Sequence, residues 1–149
     1  MERTLIIIKP DGVQRGLTGE ILRRFEARGL RIVGMKFMQI SRKLAEKHYD
    51  IHKDRPFFAG LVDYISLSPV VVIALEGTNA VAAARRTIGS TKPYEAEAGT
   101  IRGDFALEVG RNLVPGSDSV ENGQTEVANF FMEDELIGWK RNTDPWIFE

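Results

Sequence analysis

The chain has 149 residues, 43% of them hydrophobic and 28% charged, with a formal charge of −1. That length suits one domain with a sizeable core, and the near-neutral balance gives no support for a general nucleic-acid or membrane-surface role. With no cysteine there is no disulfide framework, thiol nucleophile or thiolate metal site, and two histidines, His48 and His52, are too few for a His-based metal cluster.

Along the chain, Leu5-Ile6-Ile7-Ile8 is a short apolar run that predicts a strand buried on both faces, ended by Lys9-Pro10-Asp11-Gly12. Ile21, Leu22 and Phe25 recur at helical spacing between Thr18, a plausible N-cap, and Gly29, a plausible stop. Arg31 to Ile40 places Val33, Met35 and Phe37 at period two and predicts a second strand. Ser41 then caps a short helix holding Leu44, Ala45 and Tyr49, and another covers Ala59 to Ile65. Pro69 to Leu75 is the third strand, with proline at its first position where no ladder donor is lost.

Thr78 or Asn79 starts an alanine-rich helix that runs to Ile88 and stops at Gly89. Residues 89–104 read as a long loop, of the kind that usually carries function. A short fourth strand is expected near Arg111–Val114, followed by a helix capped by Asp118 or Ser119 with Val120, Val127, Phe130 and Phe131 on one face. The order βαββαβ predicts an α+β, ferredoxin-like domain with a four-stranded antiparallel sheet backed by helices, the second and fourth strands at its edges. The opening Met1-Glu2-Arg3-Thr4 lacks signal-peptide features, and no apolar stretch approaches the roughly 20 residues of a membrane helix. A soluble, cytoplasmic protein is the expectation.

From residue types alone, Lys9 ends a buried strand, Arg85 follows an alanine-rich helix and Arg102 lies between glycines. Three basic side chains from three segments could clamp a polyphosphate if the fold brings them together, and otherwise read as solvated charges. Tyr49 and Phe57 would ordinarily be packed aromatics, and Glu126 an exposed charge.

Three motifs sharpen that reading. Lys9-Pro10-Asp11-Gly12-Val13, Gly99-Thr100-Ile101-Arg102-Gly103-Asp104-Phe105 and Arg111-Asn112-Leu113-Val114-Pro115-Gly116-Ser117-Asp118-Ser119, in this order, resemble the active-site signatures of nucleoside diphosphate kinases. The resemblance runs from Arg3 to the closing Trp146-Ile147-Phe148-Glu149 and covers essentially the whole chain. It implies transfer of a terminal phosphate from a nucleoside triphosphate to a diphosphate through a phosphohistidine, with Mg²⁺ on the phosphates. It further implies that Lys9 lies near the terminal phosphate and sugar hydroxyls, and that Tyr49 stands beside the phosphorylated His. By the same resemblance, Phe57 stacks on the base opposite Val109, Arg85, Thr91 and Arg102 hold phosphates, and Asn112 bonds the ribose. Ser117 and Glu126 match the pair around the catalytic imidazole. Trp146-Ile147-Phe148 at the very end of the chain are hard to bury within one small domain, and the resemblance implies that this tail packs across subunits, so a homo-oligomer is expected, most simply a hexamer of stacked trimers or dimers.

The departure lies at the centre of the signature. Where the family has its phosphate-accepting His, this chain has Pro115, which offers no nucleophilic atom, no titratable group and no backbone N–H. The expectation is a Mg²⁺-nucleotide-binding chain that is inactive or nearly so, or alternatively a regulatory or assembly module of the same fold without turnover.

Overall fold

A three-stranded antiparallel sheet in the order β1-β3-β2 forms the middle layer. In this computed structural model, which describes residues 1–149, β1 spans Glu2–Ile8, β2 Arg31–Met38 and β3 Val70–Gly77. β1 pairs with β3 from Glu2↔Gly77 to Ile8↔Val71, and β2 pairs with β3 from Arg31↔Glu76 to Met38↔Val70. The central position of β3 explains its unbroken apolar run, since every residue from Val70 to Leu75 is buried.

Helices cover both faces. On one, Ile6, Ile8, Ile73 and Leu75 pack against Ile21 and Phe25 of α2 (Thr18–Ala27) and against Ala80, Ala84 and Ile88 of α5 (Ala80–Ile88). On the other, Leu5, Ile7, Val72 and Ala74 meet Ala45 of α3 (Arg42–His48), Val62 and Ile65 of α4 (Phe58–Ile65), and Val127 and Phe130 of α7 (Val120–Phe130). The two sets interleave along β1 because successive strand residues point to opposite faces. The remaining helices are short, α1 at Pro10–Gln14 and α6 at Ile101–Phe105.

The caps follow the expected chemistry at two helices. Ser41 Oγ accepts the Leu44 N–H and Ser119 Oγ accepts the Asn122 N–H. Gly89, at φ 95°, ends α5 in a conformation that a side chain would resist. Pro10 does not merely end β1; it occupies the first turn of α1, where its missing N–H is harmless. Thr18 is the first residue of α2 rather than its cap, and the 89–104 stretch is not all loop, since α6 begins within it.

The expected fourth strand is absent. Residues 109–111 form a 3-10 turn, and the chain from Leu113 to Ser117 then runs beside the free edge of β1, joined to it by one isolated bridge, Ile6↔Gly116. Continuing that register sets Pro115 opposite Ile7, where a ladder would need a donor that proline lacks. Side chains replace ladder bonds nearby: the Leu5 N–H goes to Ser117 Oγ at 3.1 Å rather than to a carbonyl. The sheet therefore has three strands, with β1 and β2 at its edges.

β2 also departs from simple alternation. A bulge between Ile32 and Gly34 shifts the register at Val33, so Val33 is buried while Met35 and Phe37 are 54% and 69% exposed. The C-terminal tail folds back on its own domain more than its sequence suggests. Arg141 donates to the Gly29 and Leu30 carbonyls at 2.8 and 3.3 Å, Asp144 pairs with Arg31 at 2.7 Å, and only Trp146 is left almost fully exposed.

α7 seats on β1 through Gly123, where a Cβ would stand 2.6 Å from the Arg3 carbonyl oxygen. Backbone cannot retreat as a side-chain tip can. Gly123→Ala is therefore expected to destabilise the fold by about 1–3 kcal/mol, although alanine is the better helix former. Urea unfolding monitored by circular dichroism checks this, and an unchanged or raised midpoint would refute the close seating of α7.

Candidate functional site

The segment preceding Pro115 is built on strain. Val114 N–H donates to the Asn112 carbonyl at 2.8 Å, and Leu113 between them sits at φ 74°. These features define a γ-turn of the rare, strained kind. Asn112, Leu113 and Val114 are all buried, and the Leu113 carbonyl accepts the Lys9 N–H at 2.9 Å. The Leu113 N–H donates to the Asp11 carboxylate at 3.0 Å. Thus the end of β1 and the start of α1 grip a turn about a hundred residues away in sequence.

Around this turn the expected basic residues converge. Lys9 Nζ donates to Asn112 Oδ1 at 2.5 Å, and Asn112 Nδ2 donates to the Thr91 carbonyl at 3.4 Å. Burial pushes the Lys9 ammonium down to about 8, helped by Arg102 and Arg111 and opposed by Asp11. Arg102 is buried, and its guanidinium donates to three carbonyls, those of Asn112 at 3.3 Å, Gly89 at 3.2 Å and Val114 at 2.7 Å. Burial, with Arg85 nearby, pushes Arg102 down to about 10, so it remains a cation at neutral pH.

Pro115 lines a cleft of about 480 Å³ together with Arg85, Tyr49, His48, His52 and Glu126. Arg85 is exposed and donates to the Gly116 carbonyl at 3.4 Å, leaving most of its guanidinium open to the cleft. Burial raises the Glu126 carboxyl above the ordinary range; the Ser117 hydroxyl opposes that shift and Asp118 adds to it. Glu126 Oε1 is buried without a hydrogen-bond partner, while Oε2 stands 3.8 Å from His48 Nδ1. Burial lowers His48 to about 4, so its imidazole is neutral at pH 7, packed edge-on against the Phe130 ring at 5.3 Å. Burial and the charge of Glu126 push the Tyr49 phenol up to about 12.

The hydroxyls next to Pro115 are already committed. Ser117 is 2% exposed and accepts the Leu5 N–H, and Ser119 caps α7. Phe57 and Val109 are about half exposed, at 51% and 47%, with Phe57 tilted against the His52 ring at 5.4 Å.

The residues expected from sequence thus fall into a hydrogen-bonded group, Lys9, Thr91, Arg102 and Asn112, and a cleft group, Tyr49, Arg85, Pro115 and Glu126. Ser117 lies behind the cleft, and Phe57 and Val109 stand on the surface. The sequence reading missed His48 as a cleft residue, counting it only as one of two histidines too few for a metal cluster; its adjacency to Tyr49 was the available signal. It also missed Asp11 and Tyr64. The Tyr64 hydroxyl donates to Asp11 Oδ1 at 2.8 Å and accepts the Asp11 N–H at 3.1 Å, contacts that no local pattern announces.

Comparison with known proteins gives a consistent match. The nucleoside diphosphate kinase family model matches residues 2–136. A nucleoside diphosphate kinase of Crocosphaera subtropica is 56% identical over 149 residues, covering 100% of both chains, and one of Nostoc punctiforme is 54% identical over the same span. Among solved structures, a nucleoside diphosphate kinase family protein from Babesia bovis superposes with a TM-score of 0.97 at 46% identity, covering 99% of this chain and 100% of that one. A halophilic nucleoside diphosphate kinase from Halobacterium salinarum in complex with CDP gives a TM-score of 0.96 at 46% identity, covering 99% of each chain.

Proposed function

The chain belongs to the nucleoside diphosphate kinase family, and from that premise we propose that it binds nucleoside di- and triphosphates with Mg²⁺ but does not relay the phosphoryl group. The family reaction needs a nucleophile that first takes the phosphate and then gives it up. In this reading residue 115 is where that nucleophile would stand, and Pro115 offers none. The observation that carries the proposal is the commitment of the neighbouring hydroxyls: Ser117 is buried under a β1 amide and Ser119 closes a helix end. Of the two imidazoles in the cleft, His48 turns Nδ1 to Glu126 and His52 packs against the Phe57 ring.

Binding rests on groups that remain. Lys9, Arg85 and Arg102 supply positive charge for the phosphates, Thr91 adds a polar contact, and Asn112 takes the sugar hydroxyls. Phe57 stacks on the base with Val109 on its other face, a contact that every base can make. Mg²⁺ is carried on the phosphate oxygens in this reading, with Asp118 in the same cleft to meet its hydration shell. When bound, the ion would neutralise phosphate charge. Assembly as a homo-oligomer, a hexamer first, is part of the same proposal, with the exposed Met35, Phe37 and Trp146 as surfaces to be covered.

Calorimetry with ADP, GDP and CDP in the presence of Mg²⁺ tests the reading. All three are expected to bind with similar affinity, and no heat from any of them with folded protein would sink the nucleotide assignment. A regulatory or assembly module is the second reading, favoured by the intact binding set alongside the lost acceptor. It predicts that ADP shifts the oligomer mass in light scattering, which the first does not.

The affinity should also depend on pH through Lys9. A phosphate favours the charged ammonium, so binding weakens as pH rises through about 8. The charged fraction falls from roughly nine-tenths at pH 7 to one-tenth at pH 9, giving up to about tenfold weaker ADP binding. Lys9→Arg, which stays charged, is expected to flatten that profile. An equally steep profile in the variant would assign the titration to another group.

A further inference from the structure

We infer that Asp11, oriented by Tyr64, is a positioning residue that holds the strained 112–114 turn in the geometry through which Asn112 recognises the sugar of the nucleotide. The inference rests on the nucleotide-binding reading above. Its starting point is that a residue with φ 74° carrying a leucine side chain persists only when its surroundings over-determine it.

The ties to this turn can be named. The Leu113 side chain is fully buried, and its carbonyl is held by the Lys9 N–H. Arg102 donates to the carbonyls on either side of it, at Asn112 and Val114. The fourth tie differs in kind, because it comes from a carboxylate: Leu113 N–H donates to Asp11 Oδ2 at 3.0 Å. A hydrogen bond to a charged acceptor is stronger than a neutral one.

The carboxylate is itself aimed. Tyr64 O–H donates to its other oxygen at 2.8 Å and accepts the Asp11 backbone N–H at 3.1 Å, closing a ring that leaves one orientation for the side chain. The Arg111 guanidinium lies over the Tyr64 ring, 4.2 Å from its centroid, so the residue just before Asn112 is tethered to the same tyrosine. Pro10 at the first position of α1 fixes the backbone from which Asp11 projects. Lys9, Asp11, Tyr64 and Arg111 therefore enclose the turn, and Asn112 emerges from it with its amide set between Lys9 Nζ and the Thr91 carbonyl. Without the Asp11 tie, Leu113 is free to relax towards negative φ, and the peptide bearing Asn112 rotates with it.

The test compares two ligands, ADP and its 3′-deoxy analogue, by calorimetry on the parent, Asp11→Ala, Asp11→Asn and Tyr64→Phe. The parent is expected to prefer ADP by roughly fivefold, the worth of one hydrogen bond to the sugar. Asp11→Ala is expected to bring that ratio close to one. Asp11→Asn, which keeps an oxygen for the Leu113 N–H, should restore most of it, and Tyr64→Phe should lower it by about half. A loss of general stability weakens both ligands alike and leaves the ratio unchanged, so the ratio reports positioning. A folded Asp11→Ala that keeps the parent's ratio overturns the inference while leaving nucleotide binding intact. Should that variant fail to fold, Tyr64→Phe decides, and an unchanged ratio there overturns it equally. A parent that binds neither ligand overturns the nucleotide reading and this inference with it.

Discussion

On the proposed reading, Pro115→His is expected to form an acid-labile phosphoenzyme with ATP and to pass the phosphate to a diphosphate, while the parent is expected to form none. The expected gain is large because the group proposed to be missing is the nucleophile, whose removal costs about 10⁶-fold in a well-studied hydrolase, while binding and electrostatics keep a small residue of rate. The cleft is suited to receive the ring. Glu126 Oε1 is buried and without a partner, so an imidazole N–H reaching it would satisfy an orphaned acceptor. Tyr49 and Arg85 line the same cleft, and a residue with an N–H at 115 would face Ile7 across the β1 edge.

Full recovery needs the backbone to place the ring well, since an error near 1 Å costs about 10²-fold. Recovery to between about 10⁴ and 10⁶ times the parent rate is the expected range. Labelling with radioactive ATP, followed by acid treatment and mapping, measures it. A variant that binds ADP like the parent yet takes no label would show that more than one group has been lost, favouring the non-catalytic module. Label on the parent itself would overturn its inactivity and make His48 and His52, the two imidazoles in the cleft, the first positions to examine.

Arg102→Ala is expected to remove both nucleotide binding and a large part of the stability. From sequence, Arg102 is a phosphate ligand, and the simple expectation is weaker ADP with an intact fold. The structure changes that. Its guanidinium holds the carbonyls of Gly89, Asn112 and Val114, which join the end of α5 to both ends of the γ-turn. Truncation leaves acceptors in a buried setting without donors, and each such group costs about 1–3 kcal/mol. A loss of about 3–5 kcal/mol is expected, lowering the melting temperature by roughly 6–20 °C for a chain of this size. Differential scanning calorimetry with and without ADP checks it. A variant with parental stability and weakened ADP binding would confine Arg102 to phosphate contact. Arg102→Lys should fall between, since an ammonium cannot reach three carbonyls in a fixed fork.

Much of this protein was legible without a structure. The apolar runs of β1 and β3, the Ser41 and Ser119 caps and the Gly89 stop are local features, set by the periodicity and hydrogen-bonding chemistry of adjacent residues. Order and spacing of three motifs sufficed for the family, and the absence of a nucleophile at residue 115 is visible in the sequence itself. Tertiary structure decided the rest. It alone replaced the expected fourth strand by a bridge and a γ-turn, because Arg111–Val114 has a strand's composition but shares an edge with a proline and is pulled inward by Asp11, Lys9 and Arg102. It alone set Glu126 against His48 and left one carboxylate oxygen without a partner, since helices α3 and α7 meet only once both have packed on the same face of the sheet. Contacts such as Leu113 to Asp11 join residues about a hundred positions apart, and periodicity reports the face a residue presents, not the distant segment that comes to meet it.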